Sequence, residues 1–192
     1  MPRAIESLEP GELIPMATTT DWGSPAPAGR GTRFVVGIGE LAVSHVPDDV
    51  IVTHALGSCI AVCLWDPAVR IAGLLHFLLP EAALNMDRAR RQPATFADTG
   101  IALLFQTAYA RGVDKKRCVV RLVGGAEVAG LQGIGALNVG KRNLLMARQI
   151  LWENGVIVAG ESTGGTIPRT VALRASDGVV EVSSGRELVA KL

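Results

Sequence analysis

The residues best suited to chemistry lie in one stretch, T-H-A-L-G-S-C-I-A-V-C-L-W-D-P-A-V-R-I-A-G-L-L-H-F-L-L-P, running from Thr53 to Pro80. A free cysteine titrates near 8.5 (about), and only its thiolate is a strong nucleophile. A neighbouring protonated histidine lowers that value, and the same imidazole can later protonate a leaving group. Cys59 and His76 are the pair this stretch offers. Gly57 and Ser58, just before the cysteine, are small residues where backbone N–H groups could approach an oxyanion. Such a dyad needs a third group to fix the imidazole tautomer. Thr53, on the preceding strand, can fill that place, although composition does not single it out.

Other readings of the same residues stay open at this level. A cysteine in an apolar strand is often a small buried hydrophobe, and a histidine between Leu75 and Phe77 is often a satisfied core residue. Cys63, four residues on and on the same face, and Cys118 read as structural. A zinc site drawing on Cys59, Cys63, Cys118 and His76 would need C-x₃-C on a strand, which is not the usual two-residue knuckle spacing. No metal and no organic cofactor is expected.

Positioning the pair falls to the elements around it. Asp66-Pro67-Ala68-Val69 has the chemistry of a type I turn, with Asp first and Pro second, and apolar runs flank it. If Asp66 pairs with Val69, Trp65 faces Arg70, Cys63 faces Ala72, Ala61 faces Leu74 and Cys59 faces His76. Opposed side chains have Cβ atoms about 4.5–5.5 Å apart, within reach of a thiol and an imidazole. A slip of one residue would put them on different faces.

Strands are expected at Phe34–Ile38, Val50–His54, Cys59–Trp65, Ile71–Leu78, Cys118–Val123, Val156–Ala159, Thr170–Arg174 and Val179–Ser183. Helical period appears in Ala97–Ala110 and Asn143–Glu153, each followed closely by a glycine stop. Two main helices among so many strands lack the regular alternation of a doubly wound fold. They predict an α+β domain of mixed sheets. Residues 1–33 hold five of the ten prolines and no hydrophobic period. They predict a disordered tail ahead of a folded domain over 34–192.

Composition excludes several classes. Lys+Arg 19 against Asp+Glu 18 leaves a net charge of +1, so no nucleic-acid binding by bulk charge is expected. The longest apolar run, Ile71–Leu79, is half the about 18 residues a spanning helix needs, so no membrane insertion is expected. Glu6, Glu9 and Glu12 interrupt the first fifteen residues, and no secretory leader is expected. Three cysteines make no disulfide scaffold, which points to a reducing cytoplasm. Gly160-Glu161-Ser162-Thr163-Gly164 matches G-x-S-x-G, but all three histidines precede Ser162, against the order of an α/β-hydrolase. It reads as a turn. Gly124-Gly125 and the Gly130–Gly140 cluster match neither a P-loop nor a dinucleotide fingerprint. Arg88, Arg90 and Arg91 read as a solvated loop, and His45 and His54 have no evident partner.

V-I-V-T-H-A-L-G-S-C (50–59), A-G-L-L-H-F-L-L-P (72–80), F-A-D-T-G-I-A-L-L (96–104), G-G-A (124–126), N-V-G-K-R-N (138–143) and E-S-T-G-G (161–165) occur here in a recognisable order. In these blocks the chain resembles the CheD family, chemoreceptor glutamine deamidases of bacterial and archaeal chemotaxis. The resemblance covers roughly Phe34 to Ser183. It implies a Cys-His-Thr triad of Cys59, His76 and Thr53, acting on glutamines of the cytoplasmic helices of methyl-accepting chemoreceptors. It implies a CheC-like phosphatase as partner. It also implies a fold of stacked mixed β-sheets flanked by two main helices, like the catalytic domain of deamidating cytotoxic necrotizing factor toxins. A related Cys-His amidase or receptor glutamyl methylesterase, and a binding module that regulates a CheC-like phosphatase, are the alternatives. The Pro-rich tail exceeds what the family core needs, and 81–92 match it least well.

Overall fold

A computed structural model describes residues 31–127 and 139–192. Ten strands among them form two five-stranded mixed sheets. One sheet has β1 (Arg33–Val35), β3 (Val50–Leu56), β8 (Arg169–Arg174), β9 (Val180–Ser184) and β10 (Glu187–Lys191), side by side in that order. The other has β2 (Glu40–Ser44), β5 (Ile71–Phe77), β4 (Ile60–Asp66), β6 (Val119–Gly124) and β7 (Val158–Thr163). The pairs β1–β3 and β6–β7 are parallel and the rest antiparallel. Helices α1 (Met86–Arg91), α2 (Ala97–Tyr109) and α3 (Val139–Glu153) complete the fold with two short 3₁₀ turns. No helix among the described residues is long and apolar enough to cross a membrane.

The alternation of side chains along β4 assigns its two faces. Ile60, Val62 and Leu64 point toward Ile101, Leu104 and Phe105 of α2 and Ala147, Ile150 and Leu151 of α3. Cys59, Ala61 and Cys63 point the other way, into a core shared with Ile51, Val171, Leu173 and Val182 of the first sheet. A strand covered on both faces must be apolar at every position, as I-A-V-C-L-W is. Each fully buried aliphatic side chain here contributes about 1.5–3 kcal/mol relative to exposure.

The β4–β5 hairpin forms, but its register differs from the expected one. The ladder closes on Asp66↔Ile71 and sets Ala61, rather than Cys59, opposite His76. The turn is longer than a bare type I turn because Arg70 takes a left-handed conformation with φ +52°. Asp66 holds it: one carboxylate oxygen accepts the Ala68 N–H at 2.9 Å, and Arg117 clamps both oxygens at 3.2 and 2.8 Å. A shift by two residues conserves the pleat, so Cys59 and His76 still face the same side.

Other expectations are corrected as well. Strands β2 and β10 lie at sheet edges, and their short polar-flanked sequences carry little apolar period. Gly160–Thr163 belongs to β7 and pairs with β6, so the turn comes only at Gly164–Gly165, both at positive φ. Arg88, Arg90 and Arg91 sit on α1, whose start is capped by the Asn85 side chain. Of the tail expected over 1–33, residues 1–30 lie outside the described residues, while Arg33 pairs with Val50. The glycine cluster also lies outside them up to residue 138.

Candidate active site

His76 is the penultimate residue of β5 and points into the space between the sheets, where it is 1% exposed. Thr53, fully buried on β3, meets it from the opposite sheet: Thr53 Oγ1 lies 2.7 Å from His76 Nδ1. The threonine hydroxyl donates its one hydrogen to the Val36 carbonyl at 2.7 Å. Its oxygen is therefore an acceptor toward the ring, which places the proton on Nδ1 and the lone pair on Nε2. Nε2 is buried and has no hydrogen-bond partner among the described residues.

Cys59 lies one residue before β4, at the end of the loop from β3, and is 6% exposed. Several features shape this loop. A bulge interrupts the β3–β8 register between Thr53 and Leu56, and Ala55 within it has φ +58°. The Gly57 N–H donates to the Ala55 carbonyl at 2.9 Å, and the Ala126 N–H donates to Gly57 O at 2.7 Å. The Gly125 N–H holds the Cys59 carbonyl at 2.8 Å. Gly124 must be glycine: at φ +118° a Cβ would stand 2.2 Å from Cys59 O. Of the two residues expected to offer an oxyanion N–H, Gly57 is thus already committed. The amides of Ser58 and Cys59 have no backbone acceptor among the described residues.

Burial sets the charge state of the pair. It pushes the Cys59 thiol up to about 11, against the smaller opposing effect of its own backbone N–H. It pulls His76 down to about 4. Both shifts run against charge, so burial disfavours a thiolate–imidazolium pair and favours a neutral thiol and a neutral imidazole whose Nε2 can accept a proton. Cys63 is buried between the sheets and its thiol is pushed up to about 12 by burial, despite the nearby Arg121. The Cys118 thiol, also pushed up to about 12 by burial, donates to the Asp114 carbonyl at 3.3 Å. No group of three or more potential metal ligands gathers among the described residues. His54 is exposed, with Nδ1 3.4 Å from Thr170 Oγ1.

Sequence reasoning missed three contributors. They are the Val36 carbonyl, the Gly124–Gly125 corner, and Asn143, whose side chain reaches the carbonyls of Ser58 and Leu78. Asn143 and the two glycines do fall in blocks that carry the family resemblance, which was the available signal.

A thiol, an imidazole and a threonine bonded to that imidazole thus face the space between the two mixed sheets, and these are the side-chain types that Cys-His nucleophilic chemistry uses. Residues 78–184 match the family model described as CheD chemotactic sensory transduction. A "Probable chemoreceptor glutamine deamidase CheD 1" of Syntrophus aciditrophicus is 44% identical over 150 residues, covering 78% of this chain and 92% of that one. A protein of the same name, numbered 2, from Anaeromyxobacter dehalogenans is 48% identical over 153 residues, covering 80% and 95%. Its counterpart in Solibacter usitatus is 40% identical over 154 residues, covering 80% and 86%. This chain belongs to the CheD family. Among solved structures, a Neisseria meningitidis protein of the DUF152 family matches with a TM-score of 0.37 and 14% identity over 71% of this chain and 62% of that one. That likeness is too slight to carry an argument.

Proposed function

We propose that this protein is a cytoplasmic protein-glutamine deamidase that converts glutamine side chains on chemoreceptor cytoplasmic helices to glutamate, with Cys59, His76 and Thr53 as its machinery. The observation that carries this reading is the Thr53–His76 hydrogen bond, which leaves Nε2 free on the face shared with Cys59. Membership of a family whose relatives bear the name chemoreceptor glutamine deamidase supplies the substrate class.

The steps follow from the neutral resting pair. His76 Nε2 takes the thiol proton as the Cys59 sulfur bonds to the glutamine Cδ, and the carbonyl oxygen becomes an oxyanion. The amides of Ser58 and Cys59, which have no backbone acceptor among the described residues, are the donors proposed to meet it. The imidazolium then protonates the amide nitrogen, the C–N bond breaks, and ammonia leaves a thioester. Water gives a proton to Nε2 and attacks the same carbon; glutamate departs and the thiol is restored. One water is consumed and one ammonia released. Every proton moves through His76, so the scheme calls on no metal or organic cofactor. Regulation by a CheC-like phosphatase, and a fold like the catalytic domain of cytotoxic necrotizing factor toxins, complete the reading.

The test is mass spectrometry of a receptor cytoplasmic fragment after incubation with the wild-type protein and with Cys59→Ala. A gain of about one dalton at particular glutamines, absent with the variant, is expected of a cysteine-dependent deamidase. Loss of a methylene from methylated glutamates instead would make the protein a methylesterase. No mass change with folded protein would favour a binding module.

A further inference from the structure

The β4–β5 ladder holds His76 opposite Ala61 and ends at Ile60↔Phe77, one residue short of Cys59. Outward of that pair the strands part, and the Leu78 N–H turns away to the Thr95 carbonyl at 2.9 Å. The carboxamide of Asn143, on α3, stands where the ladder would have continued. Its Nδ2 gives one hydrogen to Ser58 O at 2.9 Å and the other to Leu78 O at 2.8 Å. Two carbonyl acceptors fix the orientation of the amide, because its oxygen could satisfy neither. Asn143 is completely buried, and its Oδ1 has no partner among the described residues. A buried amide with one end unmatched is a poor stabiliser. What it does supply is a set distance between two carbonyls.

Helix α3 reaches the cysteine by a second route. Gly140 packs so tightly on Gly125 that a Cβ there would stand 2.6 Å from Gly125 O. Gly125 in turn holds the Cys59 carbonyl. The same helix end therefore bears on the residue before the thiol, on the thiol residue itself and on the strand leaving His76.

We propose that Asn143 is a positioning residue: by holding Ser58 O and Leu78 O on one nitrogen, it sets the separation of Cys59 and His76. The use made of that pair rests on the deamidase reading, but the clamp itself does not.

The experiment measures iodoacetamide labelling of Cys59, by peptide mass spectrometry, in wild type, His76→Ala, Asn143→Ala and the double variant. Deamidation of a receptor fragment and thermal unfolding are followed in parallel. In wild type, His76→Ala should change the labelling rate at least about fivefold; in the Asn143→Ala background it should change it less than about twofold. Asn143→Ala should lower kcat by about 10- to 100-fold with KM within about twofold. Asn143→Asp keeps the size but sets a carboxylate against two carbonyl oxygens, and only its protonated form can donate. Its activity relative to wild type should therefore fall from about pH 5 to about pH 8.

Full His76-dependence of labelling in folded Asn143→Ala would overturn the proposal. If that variant does not fold, folded Asn143→Asp with wild-type kcat at pH about 8, where its carboxylate can donate to neither carbonyl, overturns it instead. Wild type that leaves every receptor glutamine unchanged would sink the deamidase reading, while loss of the labelling dependence would still carry the clamp.

Discussion

His76 and Thr53 meet across the gap between the two sheets, Nδ1 to Oγ1 at 2.7 Å, with the threonine hydroxyl already given to Val36 O. The order of donors runs one way, from ring to hydroxyl to backbone, and it leaves Nε2 as the only basic atom of the imidazole. Thr53→Val keeps the shape and removes the acceptor. It should lower kcat by about 10- to 100-fold and destabilise the fold by about 1–3 kcal/mol, since Nδ1 and Val36 O lose their partner. Thr53→Ser should recover most of both. Steady-state kinetics and urea midpoints on the three proteins check this; full activity in a folded Thr53→Val protein would contradict it.

The identity of the reacting thiol is open to a direct comparison. Cys63 is deeper than Cys59 and lies in the closed core between the sheets, while Cys59 ends a loop. Cys63→Ala should retain deamidation within about twofold and lose about 1 kcal/mol of stability from the small cavity. Cys59→Ala should be inactive with an unfolding midpoint near that of wild type. Inactive, folded Cys63→Ala protein would reassign the nucleophile.

Stability should depend on pH through both buried groups, with opposite signs. Unfolded, His76 takes up a proton as pH falls through 6.5; folded, it resists until about 4. The unfolded state thus binds more protons in that window, and stability complete above pH 6.5 is lost on the way down to 4, by up to about 3 kcal/mol. Cys59 acts on the alkaline side: the unfolded thiol ionises near 9.0 and the folded one near 11, so stability falls as pH rises between them. Urea midpoints across pH should show the acid slope in wild type and a shallower one in His76→Gln. Equal slopes in the two proteins would mean that His76 is not the group responsible.

Ala55 sits at φ +58° in the bulge that redirects the chain from Thr53 toward Cys59. A non-glycine residue there costs about 1 kcal/mol. Ala55→Gly relieves that cost but frees the unfolded chain by a similar amount. Its melting temperature should stay within about 2 °C of wild type, with activity intact. Ala55→Val crowds the same backbone with a branched side chain and should lower both. Unchanged melting and activity in Ala55→Val would mean the bulge is not under strain.

The sequence by itself determined the composition of the elements, their apolar faces and the stretch that holds the chemistry. Those signals are local: period along β4, Asp-Pro turn chemistry after Trp65, glycine stops after two helices. Tertiary structure decided the rest, because the deciding contacts span distances in sequence that no local pattern records. The hairpin register follows from Asp66 being held by Arg117, 51 residues away, which favours the longer turn with Arg70 left-handed. Cys59 and His76 kept a common face only because a two-residue shift matches the pleat. Thr53 became the histidine's partner through the stacking of two sheets, and Asn143 reached the site from 85 residues beyond Ser58. The resting charge state was also tertiary. A neighbouring imidazolium can draw a thiol toward its ionised form, and burial opposes that by penalising both charges at once.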